Sequence, residues 1–90
     1  MANVERTFLI VNTLGLHARA AAQLVQTANR FHCAVLVEKD GIEVNGKSIM
    51  GVLTLAAAKA TQIVVRCDGD DADEAMGSLA AIIENGFGEK

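Results

Sequence analysis

The sequence predicts an α+β domain, and three observations carry that prediction. Stretches with strand-like and helix-like periods interleave along the chain without the regular strand-helix-strand repetition of a parallel sheet. Asp40-Gly41 stands between two alternating segments, a hairpin signal that fixes one antiparallel pair. Ninety residues, 51% of them hydrophobic and only 3% aromatic, suit one domain over 1–90 whose single core is built from Ala, Val, Leu and Ile.

The first strand is expected over residues 4–11, where Phe8 and Ile10 alternate with Thr7 and Leu9. Residues 12–15 form a loop, after which Ala21, Leu24, Val25 and Ala28 recur at helical spacing with Arg19, Gln23, Gln26 and Arg30 on the opposite face. This first helix hides alanine and leucine and displays His17 and Arg19 at its beginning. Two short strands follow between 34 and 45, with Val35 and Val37 in one and Ile42 and Val44 in the other. Ser48 takes the N-cap position before a helix of one or two turns over 49–55. Its apolar residues outnumber what one buried side can hold, so Met50 at least is expected to be exposed. After an Ala-rich connection over 56–60, Ile63, Val65 and Cys67 alternate with Val64, Arg66 and Asp68 as a fourth strand. Asp71 and Glu74 read as a capping box for the last helix, whose apolar face is Ala75, Leu79, Ile82 and Ile83 and whose end is Asn85-Gly86.

Composition excludes several function classes. Eight Lys and Arg against eleven Asp and Glu give a net charge of -3, so no basic stripe is available for nucleic acid, and few rings are available to stack on bases. The N-terminus lacks a basic region followed by an apolar run, and no apolar stretch approaches the roughly 18 residues of a membrane span, so a cytoplasmic protein is expected. Cys33 and Cys67 form no CxxC pattern and have no His or Cys neighbours at ligand spacing, which points to neither a disulfide scaffold, nor a metal site, nor a cofactor. Both read as small, partly buried apolar residues.

The chemistry is concentrated where a glycine turn delivers His17 to a helix start. Unpaired backbone N–H groups and the positive end of the helix dipole would hold an anion or a phosphoryl group there. The N–H groups of Ala18 and Arg19 are the candidate donors, with the Arg19 guanidinium as a second clamp. Ser48 marks a second helix start. His32, following Phe31 at the far end of the first helix, reads as a solvated residue favourable to the dipole.

Gly15-Leu16-His17-Ala18-Arg19, together with Asn45-Gly46-Lys47-Ser48-Ile49-Met50-Gly51-Val52, resembles the two signatures of the HPr family, the phosphocarriers of the bacterial phosphoenolpyruvate-dependent phosphotransferase system. The resemblance implies an open-faced β-sandwich, with a four-stranded antiparallel sheet and three helices on one face. It implies a carrier rather than an enzyme: His17 Nδ1 would accept a phosphoryl group from enzyme I and pass it to a histidine of an enzyme IIA domain. Ser48 would be a regulatory phosphorylation site for an HPr serine kinase/phosphorylase in cells that have one. Ile49, Met50 and the small Ala20 are the expected docking residues, and a monomer is expected. The same fold and phosphohistidine would also serve a regulatory phosphorelay not dedicated to sugar uptake. A reading of another class, a noncatalytic α+β interaction domain with a structural histidine, predicts no acid-labile phosphate. The chain departs from the family pattern at Ala20, where proline usually follows the arginine, and in its neutral Gln26 and Asn29. Alanine can hold the same first-turn conformation as proline, so the helix is expected to survive, with transfer rate or partner choice as the property in question.

Overall fold

The computed structural model describes residues 2–89. Its elements run β1 (Ala2–Leu9), α1 (Ala18–Ala28), β2 (Ala34–Lys39), β3 (Ile42–Asn45), α2 (Ile49–Thr54), β4 (Gln62–Gly69) and α3 (Ala72–Glu84), closed by a 3-10 turn at Gly86–Gly88. The four strands form one antiparallel sheet in the order β1-β4-β2-β3. Alternation decides which face is covered. Phe8, Val35, Val37, Ile63, Val65 and Cys67 are buried beneath the helices, whereas Glu5, Arg66 and Glu43 line the opposite face, where Arg66 binds Glu5 at 2.9 Å and also pairs with Glu43. The result is an open-faced sandwich with its three helices on one side.

The hairpin between β2 and β3 turns at Asp40 (φ 52°) and Gly41 (φ 83°), the two positive φ values that a two-residue turn of this hand requires. In α1 the buried stripe is Ala20, Ala21, Leu24, Val25 and Ala28, and in α3 it is Ala72, Ala75, Met76, Leu79, Ala80 and Ile83. The alanines let these helices lie close to the sheet and to each other. Cys33 and Cys67 are both free and buried. Burial pushes both thiols up, Cys67 to about 12.

The expected capping box at the start of α3 is absent. Asp71 makes no side-chain bond to its own helix; its carboxylate instead accepts the backbone N–H groups of His32 (2.8 Å) and Cys33 (2.9 Å). Those two donors have left α1 and not yet entered β2, so a nearby carboxylate serves them better than it serves the helix. The His32 bond above all holds the Asp71 carboxyl below the ordinary aspartate range. A depressed carboxyl stabilises the fold above its unfolded pKa of about 3.9 and loses that contribution as pH falls through the folded value. Asp71→Asn is therefore expected to lower the melting temperature at pH 7, and its deficit to shrink as thermal scans move below about pH 4.

The Ala-rich connection into β4 carries two alanines with positive φ, Ala56 at 48° and Ala60 at 71°. Ala60 is fixed because its N–H donates to the carbonyl of Ile10 (2.7 Å), while the Ile10 N–H donates to Thr61 (2.9 Å). The left-handed backbone costs alanine about 1–2 kcal/mol that glycine avoids, partly offset by the greater unfolded freedom of glycine. Ala60→Gly is expected to raise stability by about 0.5–1 kcal/mol in denaturant titration.

Candidate functional site

The loop between β1 and α1 is braced from inside. Buried Asn12 donates from Nδ2 to the carbonyl of Gly15 (2.7 Å), and the Gly15 N–H returns a bond to the Asn12 carbonyl (3.2 Å). Gly15 has φ 64°, and a Cβ there would stand 2.3 Å from the carbonyl oxygen of Ala57. That same carbonyl accepts the Leu16 N–H at 2.8 Å. Leu16 is buried, so the chain is pinned immediately before the helix starts.

His17 is the N-cap residue of α1, extended at φ -73° and ψ 178°, and its ring makes no capping bond. The first intrahelical bond runs from the Ala21 N–H to the His17 carbonyl (2.8 Å). The N–H groups of Ala18, Arg19 and Ala20 therefore precede the hydrogen-bonded ladder, the arrangement that favours an anion. Ala18 and Arg19 are exposed. Arg19 forms no ion pair among the described residues, and it borders an open groove with Thr13, Leu14, Phe87, Gly88 and Glu89. Among these residues no cluster of His, Cys, Asp and Glu is placed to hold a metal ion.

The ring of His17, 28% exposed, meets a residue that the sequence did not single out. Its Nε2 is in hydrogen-bond contact with Oε2 of Glu89. Phe87 brings the C-terminal turn to this position: it is buried at φ 56°, and its carbonyl accepts Nε2–H of Gln23 from α1 at 3.1 Å. Glu89 also accepts Asn12 Nδ2 at 3.2 Å. The bond from His17, foremost, holds its carboxyl below the usual glutamate range. With Nδ2 aimed at two acceptors, Asn12 Oδ1 has no protein partner among the described residues. No local signal could have found this contact, because it joins residues 72 positions apart.

Ser48 caps α2, its hydroxyl oxygen accepting the Gly51 N–H at 3.1 Å. Val52 is buried beneath the helix, while Ile49 and Met50 are 41% and 73% exposed. Ala20 requires a correction. Expected at the surface as a docking residue, it is 0% exposed, because its side chain lies on the face of α1 that packs into the core. Only its backbone faces the site.

A family model described as the PTS HPr component phosphorylation site matches residues 4–85. The phosphocarrier protein HPr of Xylella fastidiosa (strain 9a5c) is 49% identical over 86 residues, covering 96% of this chain and 97% of that protein. Among solved structures, HPr-C-His from Thermoanaerobacter tengcongensis superposes with a TM-score of 0.93 at 45% identity, covering 97% of this chain and 98% of that one. Crh from Bacillus subtilis, described as a catabolite repression protein crystallised as a swapped dimer, gives 0.74 at 43% identity, covering 91% and 94%.

Proposed function

Because the chain belongs to the HPr family of phosphotransferase-system phosphocarriers, we propose that His17 carries the phosphoryl group, taking it from phosphorylated enzyme I and giving it to an enzyme IIA domain. One observation carries this reading: a partly exposed histidine stands at the start of α1, beside free N–H groups and an exposed arginine. Acceptance requires a neutral ring nitrogen, an in-line approach and positive groups around the equatorial oxygens. The N–H groups of Ala18 and Arg19 and the Arg19 guanidinium supply the last of these. Return of the group to a partner requires openness, which a helix start beside a groove provides. The protein acts as substrate and donor for phosphotransferases in the cytoplasm and has no turnover of its own. A monomer is the working state this reading assigns to it.

The test is incubation with enzyme I and labelled phosphoenolpyruvate. One acid-labile, alkali-stable phosphate per chain is expected, and it should pass to an added enzyme IIA domain. Absence of acid-labile phosphate would leave the chain a noncatalytic interaction domain.

Ser48 is proposed as the regulatory phosphorylation site, with Ile49 and Met50 as docking residues. A phosphate at an N-cap keeps an acceptor oxygen for the Gly51 N–H and adds about 1.5 to 2 negative charges at the favourable end of the dipole. The fold should tolerate it. Beside exposed Ile49 and Met50, however, that charge would have to lose its water when a partner docks. Ser48→Asp is expected to slow His17 phosphorylation by enzyme I about tenfold while moving the melting temperature little. Equal rates at matched protein concentrations would return Ser48 to the role of a simple cap.

A further inference from the structure

We infer that Glu89 is a positioning residue for the phosphoryl transfer proposed above, on which the inference rests: its carboxylate keeps the His17 proton on Nε2 and so presents Nδ1 as the nucleophile. The argument starts from donors and acceptors. An ionised carboxylate can only accept, and Glu89 already accepts Asn12 Nδ2 at 3.2 Å while lying in hydrogen-bond contact with His17 Nε2. Asn12 cannot turn its carbonyl toward Glu89 without also losing the 2.7 Å bond to Gly15. The nitrogen of His17 that faces Glu89 must therefore carry the hydrogen. In a neutral imidazole the other nitrogen then holds the lone pair. That lone pair is not used on the protein's own helix, since the His17 side chain makes no capping bond.

The reaction balances without any proton leaving the ring. The Nδ1 lone pair forms the new N–P bond as the N–P bond of the donor phosphohistidine breaks, and the electron pair of that bond returns to the donor imidazole. His17 now carries ring charge with its proton still on Nε2, directly facing the Glu89 carboxylate. Onward transfer reverses these changes. A carboxylate at Nε2 is thus worth more when the ring is charged than when it is neutral, the condition for accelerating the step.

The test compares the parent chain with Glu89→Gln, which keeps size and one acceptor oxygen but removes the charge, and with Glu84→Gln as a control on the neighbouring helix end. Nitrogen-15 NMR of the imidazole reads the tautomer directly, and two-dimensional amide spectra report whether the fold is unchanged. The parent is expected to show hydrogen on Nε2, Glu89→Gln a mixture of tautomers, and Glu84→Gln the parent pattern. Phosphorylation by enzyme I should slow about tenfold in Glu89→Gln and not at all in Glu84→Gln. A Glu89→Gln protein that keeps the parent tautomer, or that accepts phosphate at the parent rate, overturns the inference. A parent chain that never labels on histidine overturns the carrier reading instead, so the two failures are distinct.

Discussion

His17→Ala is expected to abolish phosphoenolpyruvate-dependent labelling entirely while leaving a folded protein. The first effect follows because no second nucleophile stands at the start of α1: Ala18 and Arg19 offer N–H groups and a guanidinium, which stabilise phosphoryl oxygens but cannot accept the phosphorus. The second follows because the ring is partly exposed, makes no capping bond, and has Glu89 as its side-chain hydrogen-bond partner among the described residues. What the fold loses is one part-buried hydrogen bond to a charged group, worth about 1.5–3 kcal/mol, which leaves a domain of ordinary stability folded. Loss of that contact also frees Glu89, so the C-terminal turn should show faster amide exchange in the variant. Circular dichroism and a labelling gel separate the two effects, and a variant that still labels would place the phosphoryl group elsewhere.

Gly15→Ala is expected to be the most damaging single methyl group in the loop. Three costs coincide at this position. The φ of 64° is unfavourable for alanine by about 1–2 kcal/mol. A Cβ at 2.3 Å from the Ala57 oxygen lies far inside contact distance, and the obstacle is backbone rather than a movable side-chain tip. Relief requires the two loops to separate, which breaks the bond from Leu16 to Ala57, worth about 1 kcal/mol. Together these imply a loss of about 3 kcal/mol or more, or a fall of roughly 15 °C in melting temperature for a domain of this size. Because Leu16 immediately precedes His17, transfer should slow even at temperatures where the variant remains folded. A melting temperature within about 3 °C of the parent would show that the two loops do not need their close approach.

Much of this architecture was legible in the sequence because it is written in short-range patterns. Alternation located the buried residues of β4, helical spacing located those of α1, and Asp40-Gly41 marked a turn that needs two positive φ values. Ser48 behaves as the cap that its position suggested. The misses have a common physical origin in contacts between distant segments. Asp71 has the right residue type and spacing for a capping box, yet two orphaned N–H groups from the end of α1 claim its carboxylate. Ala20 looks like open space beside His17, but at that point in the turn its methyl group faces the core. Ala60 gave no hint of left-handed backbone, since nothing about alanine announces a conformation imposed by a tertiary hydrogen bond to Ile10. Glu89 reads as an ordinary polar residue until the last turn folds back and sets it against His17.

The two buried cysteines have a use that their packing role does not suggest. Burial, foremost, pushes the Cys67 thiol up to about 12, and neither sulfur is open to solvent in the closed state. A thiol reagent must therefore wait for the sheet to open before it can react, so the rate of alkylation measures opening rather than chemistry. The chain carries its own clock for excursions from the native state, readable without introducing a label. Comparing that rate with and without a phosphoryl group on His17 would show whether loading the carrier at one end of α1 changes how often the sheet opens at the other.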